Sequence, residues 1–382
     1  MDTIQLIEQG NQLRAQHEPE QALSCYAQAF VQDPDSSSAF NNYGNVMREF
    51  GKPDRAIPFL QHAALLDPTN ITAKFNLAVA HLLLGDYAKG WPAYETRWDY
   101  EHLAGTAPKF SQPRWRGEDL TNKTILVVGE QGHGDIIQFS RFLYNLHVAG
   151  AKILLQVTTG LIPLFTNSAI ISQIGAYDSD MGNFDYWVPI MSIPGILKIT
   201  LENLPQTQGY LNPMSTLVKE WQQRLGPKHR MRVGFAWSGR RDAWLNQHKG
   251  IPFDVMLNTI RANTNYQWIN LQIDCTTDEE LALADAGVTC YPGSITSFAD
   301  TAALMMHLDV VLSVDTAVGH LGGALGRPTW IMLNQYATDW RWLLDRNSSP
   351  WYSTVRLFRQ PARGDWASVM SKISQYLTWF KI

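Results

Sequence analysis

The chain has 382 residues, which is too long for one small domain and fits two or three domains. Hydrophobic residues make up 45% of the chain and charged residues only 17%, so its composition is typical of a protein that forms cores rather than of a disordered one. Its formal net charge of −4 argues against a general nucleic-acid-binding protein, because such proteins usually carry a basic surplus.

The cysteines and the apolar runs argue against several further classes of protein. Cys25, Cys275 and Cys290 are an odd number without a CxxC spacing, which argues against a disulfide framework and a structural zinc site. The sequence starts with polar and acidic residues and shows no signal peptide, and its apolar runs are shorter than the ~18 residues of a membrane span. We therefore expect a cytoplasmic protein with no membrane span and no nucleic-acid partner.

The first hundred residues contain an internal repeat. A shift of 34 residues aligns Gly10 with Gly44 and Ala78, and it also aligns Pro19 with Pro53. Small residues at fixed points allow two antiparallel helices to approach closely, and proline is tolerated where a helix begins. The pattern resembles the tetratricopeptide repeat (TPR) family, with units at about 3–36, 37–70 and, more loosely, 71–104.

A solenoid of three TPR units over residues 1–104 has two expected roles. Concave surfaces of this kind bind proteins or peptides, which would make the repeats a docking module. The alternative is a purely structural role, in which the repeats dimerise the chain into a homo-oligomer or cap the next domain. The sequence leaves both roles open.

An α/β region follows the repeats. Residues 105–122 contain prolines and no periodicity, which is typical of a linker. Lys123–Gly129 is then predicted to form a strand, followed by the turn EQGHGD and an amphipathic helix that ends at Gly150. With further strands at AKILLQV and FDYWVPI, residues 123–215 are predicted to form a doubly wound domain around a parallel sheet.

A second series of strands begins near Met231. Strands are predicted at MRVGFAWSG, YQWINLQ, GVTCYPG, LDVVLSV and PTWIML, with a short helix at DTAVGHLGGALG. Residues 229–362 are therefore predicted to form a second doubly wound domain, and residues 363–382 a closing helix. Ligands of such sheets bind at the carboxyl ends of the strands, so the strand-to-glycine junctions are expected to face a cleft.

The segment SVDTAVGHLGGALGRP, residues 313–328, has the features of a phosphate site. Asp315 is placed to cap the helix that follows, and Thr316–Gly319 would present backbone N–H groups at the start of that helix. The alternative is structural, because an aspartate at a helix start and a Gly-x-Pro helix end are both ordinary features.

This segment resembles the signature of glycosyltransferase family 9, the bacterial heptosyltransferase-type enzymes with a GT-B fold. The matching residues are Asp315-Thr316, His320-Leu321 and Leu325-Gly326-Arg327-Pro328, whereas Ala317 stands where the family usually has glycine. The resemblance spans roughly residues 120–360 and implies a fold of TPR repeats followed by a GT-B pair of Rossmann-like domains, an acceptor-side domain and then a nucleotide-sugar-binding domain. The join, including GWPAYETRW, is similar to that of TPR-bearing members of the family.

The resemblance also assigns roles to two further places. The turn GHGD, with Gly132 and Gly134, is similar to the family's Gly-x-Gly-Asp turn, whose aspartate is taken as the catalytic base and corresponds to Asp135. VGFAWSG resembles the first strand of the nucleotide-binding half, and Lys249 takes the role of contacting the diphosphate. Asp315, Thr316, Ala317, Gly319 and His320 are then expected to form the donor-binding turn.

Sugar transfer needs a base for the acceptor hydroxyl and positive or dipolar groups for the leaving diphosphate. Asp135 suits the base, with inversion at the anomeric carbon, and a helix start opposite Lys249 would hold the diphosphate without a metal or other cofactor. His320 is expected either to donate to the diphosphate or sugar, or to be a satisfied histidine in helix packing. The alternative for Asp135 is an N-cap of the following helix, and both of its roles can coexist.

Weaker candidates come from the same junctions. Trp237 and Gln272 follow predicted strands, so they meet either the nucleotide-sugar or only neighbouring side chains. Asp339 follows the strand after the signature, where a ribose-binding loop is expected. Arg240 and Arg241 either reach phosphate or form a solvated pair.

We therefore expect a metal-independent inverting glycosyltransferase that moves a sugar from a nucleotide-sugar to an acceptor hydroxyl, on a protein or peptide docked by the repeats. One alternative is a heptosyltransferase-like enzyme acting on a surface-glycan acceptor. The other is a TPR adaptor protein whose transferase half is inactive.

Overall fold

The computed structural model describes residues 1–100, 103–206, 208–239 and 249–380. The chain divides into two compact units. The first unit comprises Met1–Lys109, Leu197–Leu204 and Gln335–Asp345, and the second comprises Phe110–Ile196, Pro205–Asn334 and Arg346–Ile382. Among the described residues, none of the helices is both long and apolar enough to cross a membrane.

The first unit is built on three consecutive helix pairs, which confirms the predicted repeats. The helices are α1 (Thr3–Ala15), α2 (Pro19–Gln32), α3 (Ser37–Glu49), α4 (Pro53–Leu66), α5 (Ile71–Leu83) and α6 (Tyr87–Tyr94). A methyl group on Gly10 would lie 2.5 Å from the Tyr26 ring, and one on Gly44 would lie 2.8 Å from Leu60, so glycine is what allows each pair to pack closely. The third pair ends early, because α6 has only 8 residues and continues as a 3-10 turn.

Two later segments, residues 197–204 and 335–345, complete this first unit. The Trp91 indole donates a hydrogen bond to the backbone carbonyl of Ile199 over 3.0 Å. Trp340, which lies in a 3-10 turn, packs edge-on against Trp91 with a centroid distance of 5.4 Å. These segments fall inside the sequence ranges predicted for the two α/β domains, yet they form part of the core of the repeats.

A buried charge cluster joins one of these segments to the first two repeats. The Glu49 carboxylate, 7% exposed, is paired with Arg14 and accepts a hydrogen bond from the Tyr336 hydroxyl, and Arg48 lies 3.8 Å away. Burial alone would raise the pKa of Glu49, but the two arginines outweigh it and hold that pKa below the ordinary value. The carboxylate is therefore ionised within this unit.

The second unit contains two parallel sheets. The first sheet comprises β1 (Thr124–Val128), β2 (Lys152–Gln156), β3 (Ile171–Gly175) and β4 (Tyr186–Pro189), in the order β3-β2-β1-β4. Its helices are α7 (His133–Phe139), α8 (Leu143–Val148), α9 (Ile162–Phe165) and α10 (Ile193–Ile196), and α11 (Ser215–Leu225) leads to the second sheet.

The second sheet comprises β5 (Arg232–Ala236), β6 (Gln267–Asn270), β7 (Val310–Val314), β8 (Thr329–Leu333) and β9 (Val355–Arg359), in the order β6-β5-β7-β8-β9. The accompanying helices are α12 (Phe253–Ala262), α13 (Thr277–Asp285), α14 (Phe298–Met305), α15 (Ala317–Ala324) and α16 (Trp366–Trp379). A hydrophobic core lies between this sheet and its helices, and α16 contributes Trp366, Val369, Ile373 and Leu377 to it.

Most strands lie where the sequence predicts them, but one prediction is wrong. GVTCYPG does not form a strand, since only Thr289 makes an isolated bridge to Ile269. The stretch is too short to pair further, because Gly287 and Gly293 at its two ends both have a positive φ and turn the backbone. Strands β3 and β9 were not predicted. Within the predicted linker, the Trp115 backbone N–H donates to a carbonyl of β4, and its side chain is buried.

Candidate functional site

Each sheet of the second unit has one point at which its strand order reverses direction. In the first sheet this point lies between β1 and β4, and in the second it lies between β5 and β7. Loops at the carboxyl ends of such neighbouring strands diverge and leave a crevice, where ligands of open α/β sheets bind. The two segments that resemble family 9 motifs follow β1 and β7, so both lie at these points.

The β1–α7 junction holds Asp135 in a fixed position. Gly132 is the N-cap residue of α7, and Asp135 is the third residue of the helix. A carboxylate oxygen of Asp135 accepts a hydrogen bond from the Gly132 N–H over 2.8 Å. Asp135 is therefore not the N-cap of this helix, as one alternative had it, but it closes the capping box from the N3 position. Its side chain is half-buried.

The β7–α15 junction holds the acidic residue of the signature. The N-cap residue of α15 is Thr316, so the expected capping by Asp315 is wrong. Asp315, which is buried, instead pairs with Lys249, whose ammonium nitrogen lies 2.6 Å from the carboxylate. The ion pair explains why Asp315 does not cap the helix. A buried carboxylate is stabilised more by a cation than by backbone N–H groups that water also reaches. Lys249 thus lies beside the turn that begins at Asp315, and the binding of a donor by this turn stays a prediction.

His320 lies one turn into α15 and is 5% exposed. Its Nδ1 atom is 2.9 Å from the Tyr352 hydroxyl oxygen, and its Nε2 atom is 3.9 Å from a carboxylate oxygen of Asp315. The histidine is therefore both a buried packing residue and a neighbour of the acidic residue in the turn. The packing role is therefore observed, whereas a hydrogen bond from His320 to a diphosphate or sugar stays a prediction.

The two junctions touch at Gly134. A Cβ atom on Gly134 would lie 2.9 Å from the His320 ring and 3.4 Å from the Cα atom of Ala317. The first turn of α7 thus packs on the first turn of α15 without space for even a methyl group. Asp135 and the turn at Asp315, 180 positions further along the chain, thus belong to two adjoining helix starts.

The glycines of α15 serve packing against the sheet. A Cβ atom on Gly319 would lie 3.1 Å from Ile331, and one on Gly322 would lie 2.3 Å from Thr329. Gly323 lies similarly close to the Tyr352 ring. Ile331 and Thr329 belong to β8, so these glycines let the helix approach its sheet and thereby fix the position of its N-terminus.

The weaker candidates lie in different surroundings. Trp237 is 2% exposed and packs on Phe253 in the core of the second sheet, so the structure places it in side-chain packing. Gln272 joins two strand ends, because its side-chain oxygen accepts a hydrogen bond from the Ser238 N–H over 3.2 Å. Asp339 belongs to the first unit, where it pairs with Arg341. The predicted pair at positions 240 and 241 lies outside the described residues.

Sequence reasoning missed three residues at this site. The Ser238 hydroxyl, at the end of β5, is buried and has no hydrogen-bond partner in the part of the chain that the structure describes. Tyr352 contacts His320 on the side away from Asp315, and Arg141 packs on the Tyr352 ring. The glycine turn WSG is a signal that could have identified Ser238, whereas no motif marks Tyr352 or Arg141, since their position depends on tertiary packing.

The charged groups of the site do not form a metal cluster. Within the described ranges, no group of three or more histidine, cysteine, aspartate or glutamate side chains is arranged to hold a metal ion. Asp135 and Asp315 each have a partner in their own junction, namely the Gly132 N–H and the Lys249 ammonium. What the arrangement offers is a half-buried carboxylate on one helix start and a helix N-terminus with a cation beside it on the other.

No family model matches the chain. Among curated proteins, Protein FlbA of Caulobacter vibrioides is 28% identical to it over 383 residues, which cover 91% of this chain and 62% of that protein. The chain therefore spans less than two thirds of the length of this relative.

Solved structures similar to the chain include both kinds of protein that its motifs resemble. A glycosyl transferase family 9 structure from Veillonella parvula matches with 11% identity and a TM-score of 0.49, over 70% of this chain and 92% of that one. The second TPR of Spaghetti (RPAP3), bound to an HSP90 peptide, matches with 22% identity and a TM-score of 0.25, over 25% of this chain and 89% of that one.

Proposed function

We propose that the second unit is a GT-B glycosyltransferase that moves a sugar from a nucleotide-sugar to an acceptor hydroxyl, with inversion and without a metal. The observation that carries this proposal is the contact at Gly134. It brings a half-buried carboxylate from the switch point of one sheet next to a helix N-terminus and a cation from the switch point of the other. Base and leaving-group stabiliser are the two elements that displacement at an anomeric carbon needs.

The reaction follows from these positions. Asp135 accepts the proton of the acceptor hydroxyl while the hydroxyl oxygen forms a bond to the anomeric carbon. The bond from that carbon to the diphosphate oxygen breaks at the same time, and the electron pair leaves with the nucleoside diphosphate. A single displacement of this kind inverts the configuration at the anomeric carbon.

The leaving diphosphate carries negative charge, and the β7–α15 junction supplies the groups that stabilise it. The first N–H groups of a helix have no partner within the helix, and the helix dipole adds a partial positive charge there. Thr316, the N-cap residue, makes no side-chain capping bond to α15, so its hydroxyl does not occupy these donors. In the donor complex, the Lys249 ammonium lies between Asp315 and the diphosphate.

For the acceptor, we propose a hydroxyl of a protein or peptide that the helical repeats bind. The repeats are the support for this part, because tandem helix pairs present extended surfaces that suit peptide segments. A heptosyltransferase-like enzyme with a surface-glycan acceptor uses the same donor chemistry and differs only in what occupies the acceptor side.

Thermal unfolding of the full chain with ADP, UDP, GDP, CDP and dTDP, each with magnesium and with EDTA, tests the donor site. A ligand present at 100 times its dissociation constant adds about 2.7 kcal/mol to the stability of the folded state. We expect one base series to raise the unfolding temperature by several degrees in EDTA as well as in magnesium. The absence of any shift would favour the adaptor with an inactive transferase half, and a shift only with magnesium would contradict metal independence.

The chain offers a matched pair of lysines for this test. Lys249→Met removes the cation beside Asp315, whereas Lys228→Met removes an equally close cation, 2.6 Å from Asp309. Asp309 precedes β7 at the amino end of the sheet, away from the predicted site. We expect the first variant to lose the nucleotide shift and the second to keep it. Equal shifts in both variants would remove Lys249 from the donor site.

A further inference from the structure

His320 has two ring edges with different surroundings. The edge with Cδ2 and Nε2 faces Gly134 and Asp315, which belong to the candidate site. The opposite nitrogen, Nδ1, lies 2.9 Å from the hydroxyl oxygen of Tyr352, a residue 2% exposed in the loop between β8 and β9. Because one nitrogen of a neutral imidazole carries the proton and the other accepts, the Tyr352 contact decides what the site-facing nitrogen can do.

Tyr352 is one wall of a cage around a buried arginine. The guanidinium of Arg141 lies 4.7 Å from the ring centroid of Tyr352 and 4.8 Å from that of Tyr210. It donates hydrogen bonds to the backbone carbonyls of Trp351 and Gln138, over 2.6 and 3.1 Å. Among the described residues, no carboxylate lies within ion-pair distance of Arg141, so its charge is balanced by carbonyl dipoles, aromatic faces and the Tyr210 hydroxyl, which accepts a hydrogen bond from it over 3.4 Å.

The charges on the two sides of His320 favour the same proton position. Arg141 lies against the phenol ring, and a cation there makes the Tyr352 hydroxyl a stronger donor and a weaker acceptor. The Asp315 carboxylate, 3.9 Å from Nε2, favours a proton on that nitrogen. With the proton on Nε2, Nδ1 has a lone pair that the Tyr352 hydroxyl can donate to.

We propose that Tyr352 is a positioning residue that fixes His320 as the Nε2–H tautomer, and that Arg141 holds Tyr352 as the donor. Resting on the proposed function, this gives His320 a defined part: a neutral donor whose N–H points toward the diphosphate or the transferred sugar. Asp315, Lys249 and His320 then face the donor together. Tyr352 orients His320 from the opposite side of its ring and does not touch the ligand.

The tautomer can be measured without any substrate. In the full chain with ¹⁵N-labelled histidine, a long-range ¹H–¹⁵N spectrum at a pH about two units above the ordinary imidazole pKa distinguishes Nδ1–H from Nε2–H. The signals of His320 are identified as those that vanish in His320→Gln. In the wild type, we expect Nδ1 to carry no proton and to accept a hydrogen bond, and Nε2 to carry the proton. A proton on Nδ1 would overturn the proposal.

Two hydroxyl deletions in the same cage separate positioning from packing. Tyr352→Phe removes the donor to Nδ1, whereas Tyr210→Phe removes a hydroxyl that donates instead to the carbonyls of Ile137 and Gln138. We expect the Nδ1 resonance of His320 to move in Tyr352→Phe and to stay in place in Tyr210→Phe. An unchanged resonance in Tyr352→Phe, or equal changes in both variants, would contradict the proposal.

Nucleotide binding then connects the tautomer to function. We expect the dissociation constant of the nucleoside diphosphate that stabilises the wild type to rise about tenfold in Tyr352→Phe and to stay within about twofold in Tyr210→Phe. An unchanged constant in Tyr352→Phe would overturn the positioning role. If none of the five nucleotides bound the wild type, the proposed function would fail, whereas the spectra would still decide the tautomer.

Discussion

The close contact at Gly134 leads to a quantitative prediction for the substitution Gly134→Ala. The added methyl carbon would lie 2.9 Å from the His320 ring, whereas ordinary carbon–carbon contacts begin near 3.5 Å, so about 0.6 Å must be gained. His320 cannot rotate away easily, because its ring is buried and hydrogen-bonded to Tyr352. The starts of α7 and α15 must therefore move apart.

Overpacking of this kind costs about 1–3 kcal/mol. Replacing glycine by alanine also lowers the entropy of the unfolded chain, which stabilises the protein by about 0.4–1 kcal/mol where the backbone allows it. Gly160→Ala is the matched control, since a Cβ atom there meets nothing within 4 Å and Gly160 belongs to the same unit. The difference between the two variants isolates the contact with α15.

Urea unfolding of both variants measures this difference as a change in the free energy of unfolding. We expect Gly134→Ala to be less stable than Gly160→Ala by about 1–3 kcal/mol, because the entropic gain is common to both variants and the overpacking cost is not. We also expect weaker nucleotide binding in Gly134→Ala alone, because the donor-binding turn moves with α15. Equal stability of the two variants would mean that the starts of α7 and α15 do not touch. Asp135 and the turn at Asp315 would then not be held side by side.

Three further predictions concern the base and the first unit. Asp135→Asn keeps an oxygen that can accept the hydrogen bond from the Gly132 N–H, so we expect an unchanged unfolding temperature. Sugar transfer from a nucleotide-sugar should become at least ~100-fold slower. Full turnover would exclude Asp135 as the base. Glu49→Gln leaves Arg14 without its buried counter-charge, and we expect urea unfolding at pH 7 to show a loss of about 3 kcal/mol. Because the folded state lowers the Glu49 pKa, the stability that the ionised carboxylate contributes is present above the ordinary glutamate pKa and is lost as pH falls through the folded value. The unfolding free energies of the variant and the wild type should therefore converge in acid. A difference that does not depend on pH would refute the role of the Glu49 charge. Trp340→Ala should cost about 3–5 kcal/mol in the same assay, and a loss below 1 kcal/mol would contradict its packing on the repeats.

The sequence was sufficient where structure depends on local pattern. The 34-residue period located the helix pairs, since each pair repeats the same small and large residues at its contact. Apolar runs bounded by glycine located seven of the nine strands that the structure describes. The motifs at Asp135 and at residues 313–328 pointed to the two junctions, because strand-to-helix turns at a sheet edge have characteristic residues.

Features that depend on tertiary contacts were missed. The partner of Asp315 is an example: its sequence position suggested a helix cap, but a lysine 66 residues away in the chain pairs with it. β3 was missed because only its final residue is fully buried, so it lacks a continuous apolar run. Tyr352 and Arg141 have no local signature in the sequence. Tyr352 meets His320, and Arg141 meets Tyr352, only in the folded chain.

The composition of the first unit has a consequence for the order in which the protein folds during synthesis. Its helices precede both sheets of the second unit in the chain, but part of its core, including Trp340, belongs to residues 335–345. Folding during synthesis usually proceeds from the amino terminus, one domain after another. Here the repeats can complete their core only after residues 335–345, which follow β8, have been made. Until then, the aromatic surface of α6 remains open to water and to other chains.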